Sequence, residues 1–143
     1  MSARFSSTLL RKWLESHLTS GVKVYTDRMP NTGRAILITM QPGAGLEMEG
    51  LLDNPAFNIQ CRGAENNYED AEDIALEVDS IILNFGDLGF EMDDVVVQVL
   101  DRTGGAPAQI QVLDSANRFA FSCNYYAKPF TNIGEYDYAP GEV

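Results

Sequence analysis

Basic residues are few in this chain of 143 residues. Ten Lys and Arg stand against 21 Asp and Glu, for a formal net charge of -11. A protein that holds nucleic acid through its phosphates needs clustered cations, so the charge argues against that class of function. A wall past which DNA moves ungripped remains compatible, because negative charge repels phosphate, and so does plain solubility. Long apolar runs are missing as well. None reaches the length of a membrane span, and Met1-Ser2-Ala3-Arg4-Phe5 is not the apolar stretch of a signal peptide. The chain is expected to be made and used in a cytoplasm. It has two cysteines, Cys61 and Cys123, both inside expected strands. A disulfide requires those strands to pair closely. In a reducing compartment, two small buried thiols are the expected outcome.

The residues that carry chemistry are also sparse. His17 is the one histidine, four residues after Trp13 and beside an apolar helical stripe. That position reads as structural rather than as a general base. No cysteine or second histidine stands at metal-ligand spacing. Glu69, Asp70, Glu72, Asp73 and Glu77 cluster at a helix start, where acids favour the helix dipole for its own sake, and a helix spreads them over several faces. Asp93-Asp94 reads as a solvated turn. Gly43-Ala44-Gly45 is not followed by a helix start, so it is no dinucleotide fingerprint. No Ser or Cys sits in a nucleophile elbow. The expectation is a protein without catalytic residues, metal or cofactor, and not an enzyme.

What is present is a foldable chain. Hydrophobic residues make up 45%, and the length suffices for one domain with a real core. A first helix starts at Ser6 or Ser7, a hydroxyl cap. Its apolar stripe is Leu9, Leu10, Trp13, Leu14 and Leu18, and Gly21 stops it. Strands are expected over 22–25 and 34–40, separated by a loop with Pro30, Asn31 and Gly33. A further strand over 57–63 leads to a long helix over 67–85, with Asn67 and Asp70 at capping positions. The buried face of that helix is Ala71, Ile74, Ala75, Val78, Ile81, Ile82 and Phe85. Strands over 95–100, 108–113 and 118–127 complete the order α-β-β-β-α-β-β-β. This is an α+β domain with two helices packed on a mainly antiparallel or mixed sheet.

Two segments stand outside that pattern. Residues 41–54 hold Pro42, Gly43, Gly45 and Gly50 and read as a long loop of little internal structure, a kind that often carries contacts. Leu46, Met48, Leu51 and Leu52 have no element to bury them there. They read either as a partner surface or as a cover for the domain's own core. Residues 128–143 read as an extended tail after a domain over 1–127, with Pro129 ending the last strand. Its aromatics, Phe130, Tyr136 and Tyr138, point to docking on this molecule or a neighbour.

The order and spacing of several short motifs resemble the tail terminator, or tail completion, proteins of long-tailed bacteriophages, also described as minor capsid proteins. The motifs are Gly21-Val22-Lys23-Val24-Tyr25, then Pro30 and a strong strand. Gln60-Cys61-Arg62-Gly63 and the helix start from Tyr68 to Ala71 follow. Pro107-Ala108-Gln109-Ile110 leads into Asp114-x-x-Asn117-Arg118-Phe119 and Asn124-Tyr125. The resemblance covers roughly residues 6–127. It implies a structural virion protein at the head–tail junction, assembled in the host bacterial cytoplasm. It further implies a homo-oligomer, a hexameric ring, that caps the tail tube protein, stops tube growth and meets the head–tail stopper or connector protein. DNA would pass through without specific binding. The segments 41–55 and 128–143 do not share the pattern, so no role carries over to them.

A ring needs one patch that meets a different patch on the next subunit. Strand edges and hairpins are natural candidates. The expected ones are a hairpin over 95–113, with Arg102, Thr103, Gly104 and Gly105 at its tip, and the 41–55 loop. Three other readings stand beside this one. A head–tail stopper subunit is the nearest. A small-ligand-binding α+β domain predicts a ligand-dependent melting shift. An enzyme with a dispersed carboxylate site around Glu69 to Glu77 and His17 predicts stabilisation by a divalent metal.

Overall fold

In the computed structural model of the chain, residues 6–31, 33–41, 46–47, 52–53, 56–86, 90–92, 95–110 and 118–131 are described. Helix α1 (Ser7–His17) opens where Ser6 Oγ accepts from the Leu9 N–H at 3.1 Å. It buries Leu10, Trp13 and Leu14. Strands β1 (Val24–Tyr25), β2 (Ala35–Gln41), β3 (Leu46–Glu47), β4 (Leu52–Asp53) and β5 (Ala56–Glu65) follow. Helix α2 (Tyr68–Gly86) precedes β6 (Phe90–Met92), β7 (Val95–Arg102), β8 (Ala108–Ile110) and β9 (Arg118–Thr131). The main sheet has the order β1-β2-β5-β9-β7-β6, with β8 also on β9. Among the described strands only β1 and β2 are parallel; the other pairs are antiparallel. The domain is α+β with a mixed, mostly antiparallel sheet, as the sequence predicts.

Both helices pack on the same sheet face. Ile36 and Ile38 of β2, Phe57, Ile59 and Cys61 of β5, and Phe121, Cys123 and Tyr125 of β9 meet Ala71, Ile74, Ala75, Val78 and Ile82 of α2 in one core. The register aligns them: Ile38 faces Ile59 and Ile59 faces Cys123, while Phe57 faces Tyr125. Burying each of the Ile, Val and Phe side chains contributes about 1.5–3 kcal/mol.

The step from β5 into α2 is the tightest joint. A Cβ on Gly63 would lie 2.5 Å from the Ala71 nitrogen, so only glycine lets the helix start lie on the strand. Asn66 turns the chain with φ 54. Asn67 Oδ1 caps α2 by accepting from the Asp70 N–H at 3.0 Å. The Asp70 carboxylate accepts instead from the Ala64 N–H at 2.8 Å and Arg34 Nε at 3.0 Å. That ties β5, α2 and the start of β2 together.

Four sequence expectations need correction. The 41–54 loop carries structure: β3 and β4 pair as Leu46↔Asp53 and Glu47↔Leu52. Two-residue strands are too short to show a period, and the four residues between them are ordinary hairpin length. Strand β6 was not expected for the same reason. Next, β7 and β8 form no hairpin with each other. Both pair with β9, at Leu100↔Ala127 and Arg102↔Tyr125, then at Ala108↔Ser122. Residues 103–107 are therefore an insertion in one long edge rather than a hairpin tip. Last, β9 passes through Pro129 to Thr131. The β5 ladder ends at Ala56↔Tyr126, and the β7 register shifts between Val97 and Val99 opposite Pro129. A one-sided strand end with a bulge opposite it tolerates a missing N–H.

Candidate assembly surface

Strand alternation sends a second set of side chains to the face away from the helices. Three rows of the pairing register cross it. Leu37, Gln60 and Ser122 align in one, Thr39, Asn58 and Asn124 in the next, and Gln41, Ala56 and Tyr126 in the third. Asn58 Nδ2 donates to Ser122 Oγ at 2.6 Å and to Asn124 Oδ1 at 2.9 Å, so these amides are held in fixed orientation. No acidic or basic residue occurs in 37–41, 56–60 or 120–126. Charge enters the same face at its margins: Asp101 of β7 pairs with Tyr126 in the third row, and Arg62 of β5 shares the alternation of Asn58 and Gln60. The outer side of α2 differs, with exposed Glu69 and Asp73 beside exposed Leu76 and Leu83.

At the near end of the sheet, Arg62 Nε donates to the Gly33 carbonyl at 2.9 Å and Arg118 Nη2 to the Asn31 carbonyl. Both arginines are buried. They fasten the loop before β2 to β5 and β9.

A second polar cluster lies inside, between α2 and the β7–β8 insertion. Asp79 is buried on the apolar side of α2. Its Oδ1 accepts from the Tyr125 hydroxyl at 3.0 Å and lies 3.1 Å from Arg102 Nε. Cys123 Sγ donates to the Gly105 carbonyl at 3.5 Å, and the Thr103 N–H donates to the Asn124 carbonyl at 3.0 Å. Burial, then the neighbouring Cys123 and Asp79, push the Tyr125 hydroxyl far above its usual range. Burial also raises both thiols, with Cys123 adding to the effect at Cys61. Thiols held protonated are not nucleophiles. Cys61 faces Phe121 while Ile59 faces Cys123, so the two are diagonal neighbours, and both are free.

The structure places the sequence-predicted residues unevenly. The guanidinium of Arg102 is turned to Asp79, while Thr103, Gly104 and Gly105 are exposed. Leu46 and Leu52 stand in β3 and β4, and β4 lies close to β9. Phe130 stands in β9 opposite Val96. Met48, Leu51, Tyr136 and Tyr138 lie outside the described residues. Sequence reasoning missed Asp79, whose signal was a lone acid between Val78 and Ile82 on an apolar helix stripe. It also missed the amide-lined strand face, which was readable in the alternation of Thr39, Gln41, Asn58, Gln60, Ser122 and Asn124.

Among the described residues no three His, Cys, Asp or Glu side chains are grouped to hold a metal. The crevice lined by Ile59, Cys61, Ala75, Val78 and Pro107 has no room for a water molecule. His17 Nδ1 donates to the Trp13 carbonyl at 2.9 Å, with its ring 4.8 Å from the indole, a helix-side structural role. No described helix is long and apolar enough to cross a membrane.

An open sheet face lined by hydrogen-bonded amides, with the buried polar groups tied to one another, fits a building block, a protein that works through its surfaces. Residues 9–128 match the family model of the bacteriophage tail terminator protein, and the chain belongs to that family. It is therefore a structural component of the phage tail, and its family implies a protein that catalyses no reaction. No curated protein matches the chain.

Proposed function

We propose that the protein forms a ring, hexameric in a long-tailed phage, that caps the finished tail tube, stops its polymerisation and presents a surface to the head–tail connector or stopper. The observation that carries this reading is the family match across residues 9–128. The amide-lined centre of the open strand face supports it, since it offers contact area with little charge to desolvate. The net charge of -11 suits a passage that DNA crosses without sticking. Assembly in the host cytoplasm fits two buried thiols that stay unpaired. Leu46, Met48, Leu51, Leu52, Thr103, Gly104, Gly105, Phe130, Tyr136 and Tyr138 belong to the contact surfaces, and Arg102 acts by anchoring the 103–107 insertion.

The test uses tail tubes polymerised from purified tube protein, with and without this chain, viewed by negative-stain electron microscopy. Tubes with added protein are expected to stop growing and to carry a ring-shaped cap at one end. Unlimited tubes with bare ends would contradict the proposal.

A further inference from the structure

Two stretches of the main sheet have no neighbour on their outer side among the described residues. Strand β1 pairs only with Ile36 and Leu37, which leaves the outer edge of β2 open from Ile38 to Gln41. Strand β6 pairs only with Val95, Val96 and Val97, which leaves β7 open from Gln98 onward and β8 with it. Natural proteins blunt open edges with lysine, proline, bulges or inward charge. The open part of β2 has none of these; the β7–β8 edge carries Pro107 and the inward-turned Arg102 beside its exposed Thr103 and Gln109. Thr39, Met40 and Gln41 are all exposed. Met40 is 38% exposed although it pairs with the fully buried Phe57 and shares its helix-facing side.

The two edges also match in direction. Strands β2, β5, β9 and β7 are neighbours in that order, and each adjacent pair is antiparallel. Alternation over four strands makes β7 run opposite to β2. A second copy placed to continue the sheet therefore sets its β7 antiparallel to β2 of the first, the favourable pairing already used through this sheet. The same step leaves one open edge at each end of the pair, so the contact is heterologous and repeats.

We propose that copies of this chain join edge to edge, with β2 residues 38–41 of one copy pairing with the β7–β8 edge, residues 98–110, of the next. Backbone hydrogen bonds supply the affinity, and exposed Met40 supplies apolar area on the helix side. This inference rests on the proposed oligomer and names its contact.

The test is a complementation of two charged-edge variants. One carries Thr39→Lys with Met40→Lys; the other carries Thr103→Lys with Gln109→Lys. All four positions are exposed, and circular dichroism and melting confirm that each variant folds. Sedimentation is compared under conditions where the unaltered chain assembles. Each variant alone is expected to stay a monomer of about 15.8 kDa. Their mixture is expected to form a dimer and nothing larger, because it contains one intact edge of each kind. Either variant assembling like the unaltered chain would overturn edge pairing while leaving the oligomer intact. A β7–β8 variant that still dimerises alone would show a symmetric β2–β2 contact and overturn it too. An unaltered chain that stays monomeric even with tube protein would sink the ring reading and this inference together.

Discussion

At the scale of single residues, the most consequential group is one the sequence half concealed. Asp79 holds Tyr125 and Arg102 at once, and through Arg102 it fixes where the β7–β8 insertion leaves the sheet. Tyr125→Phe removes one hydrogen bond and leaves the carboxylate with its arginine, so a loss of about 1 kcal/mol is expected. Asp79→Ala strands both a buried hydroxyl and a part-buried guanidinium, and about 2 kcal/mol or more is expected. Urea titration of both variants checks the order; equal or reversed losses would show that Asp79 is not the hub. The same groups set the alkaline limit. Thiols and the phenol ionise near 9.0 and 10.0 in an open chain, but burial raises all three in the fold; neighbouring groups add to it at Cys61 and Tyr125, while at Cys123 the Tyr125 hydrogen bond opposes it without cancelling it. Their stabilisation is complete below about pH 9 and is lost as pH rises beyond the unfolded values. Unfolding free energy measured from pH 7 to 11 should fall across that window, and Tyr125→Phe should flatten the fall. On the acid side, partial burial raises Glu77, but donation from the Thr19 N–H at 2.7 Å and hydroxyl at 2.8 Å outweighs it and lowers its pKa. That contribution is present above the ordinary value of 4.5 and disappears as pH falls through the lower folded value.

At the scale of elements, legibility followed locality. The two helices were readable because their signals lie within a few residues: the Ser6 and Asn67 caps, the apolar stripes, and the glycines that follow. The long strands β2, β5, β7 and β9 announced themselves by apolar content. Strands β3, β4 and β6 did not, because two or three residues carry no period. The pairing of β7 and β8 with β9 instead of with each other is a long-range choice. Nothing in 101–107 distinguishes an insertion in an edge from a hairpin turn. The candidate contact residues inherited that limit: Thr103 to Gly105 lie in an insertion rather than a hairpin tip, and the Arg102 guanidinium is turned to Asp79. Gly63 is the element-scale residue with the clearest test. Its hydrogen points at the α2 backbone, so Gly63→Ala must push the helix start off β5. A cost of about 1–3 kcal/mol is expected, read as a lower melting temperature. Gly104→Ala, with open space around the site, should leave melting unchanged. A silent Gly63→Ala would mean that the strand and helix are not packed this closely.

At the scale of the whole molecule, one side of the sheet is committed to the helices and the other is lined at its centre by amides and a hydroxyl held by hydrogen bonds. Acids are also exposed on the outer side of α2, at Glu69 and Asp73. Such a division suits a subunit whose neighbours supply what the isolated chain leaves open, and it agrees with membership of the tail terminator family. The overall α+β architecture and the two helices were visible in the sequence. The open edges were not, since an edge exists only once the strand order is known. The most direct test of self-assembly is the mass of the purified protein across a concentration series, by native mass spectrometry or light scattering, alone and with tail tube protein. A species near six times the 15.8 kDa protomer mass, formed on concentration or on adding tube protein, is the predicted result. A strict monomer indifferent to both would contradict it.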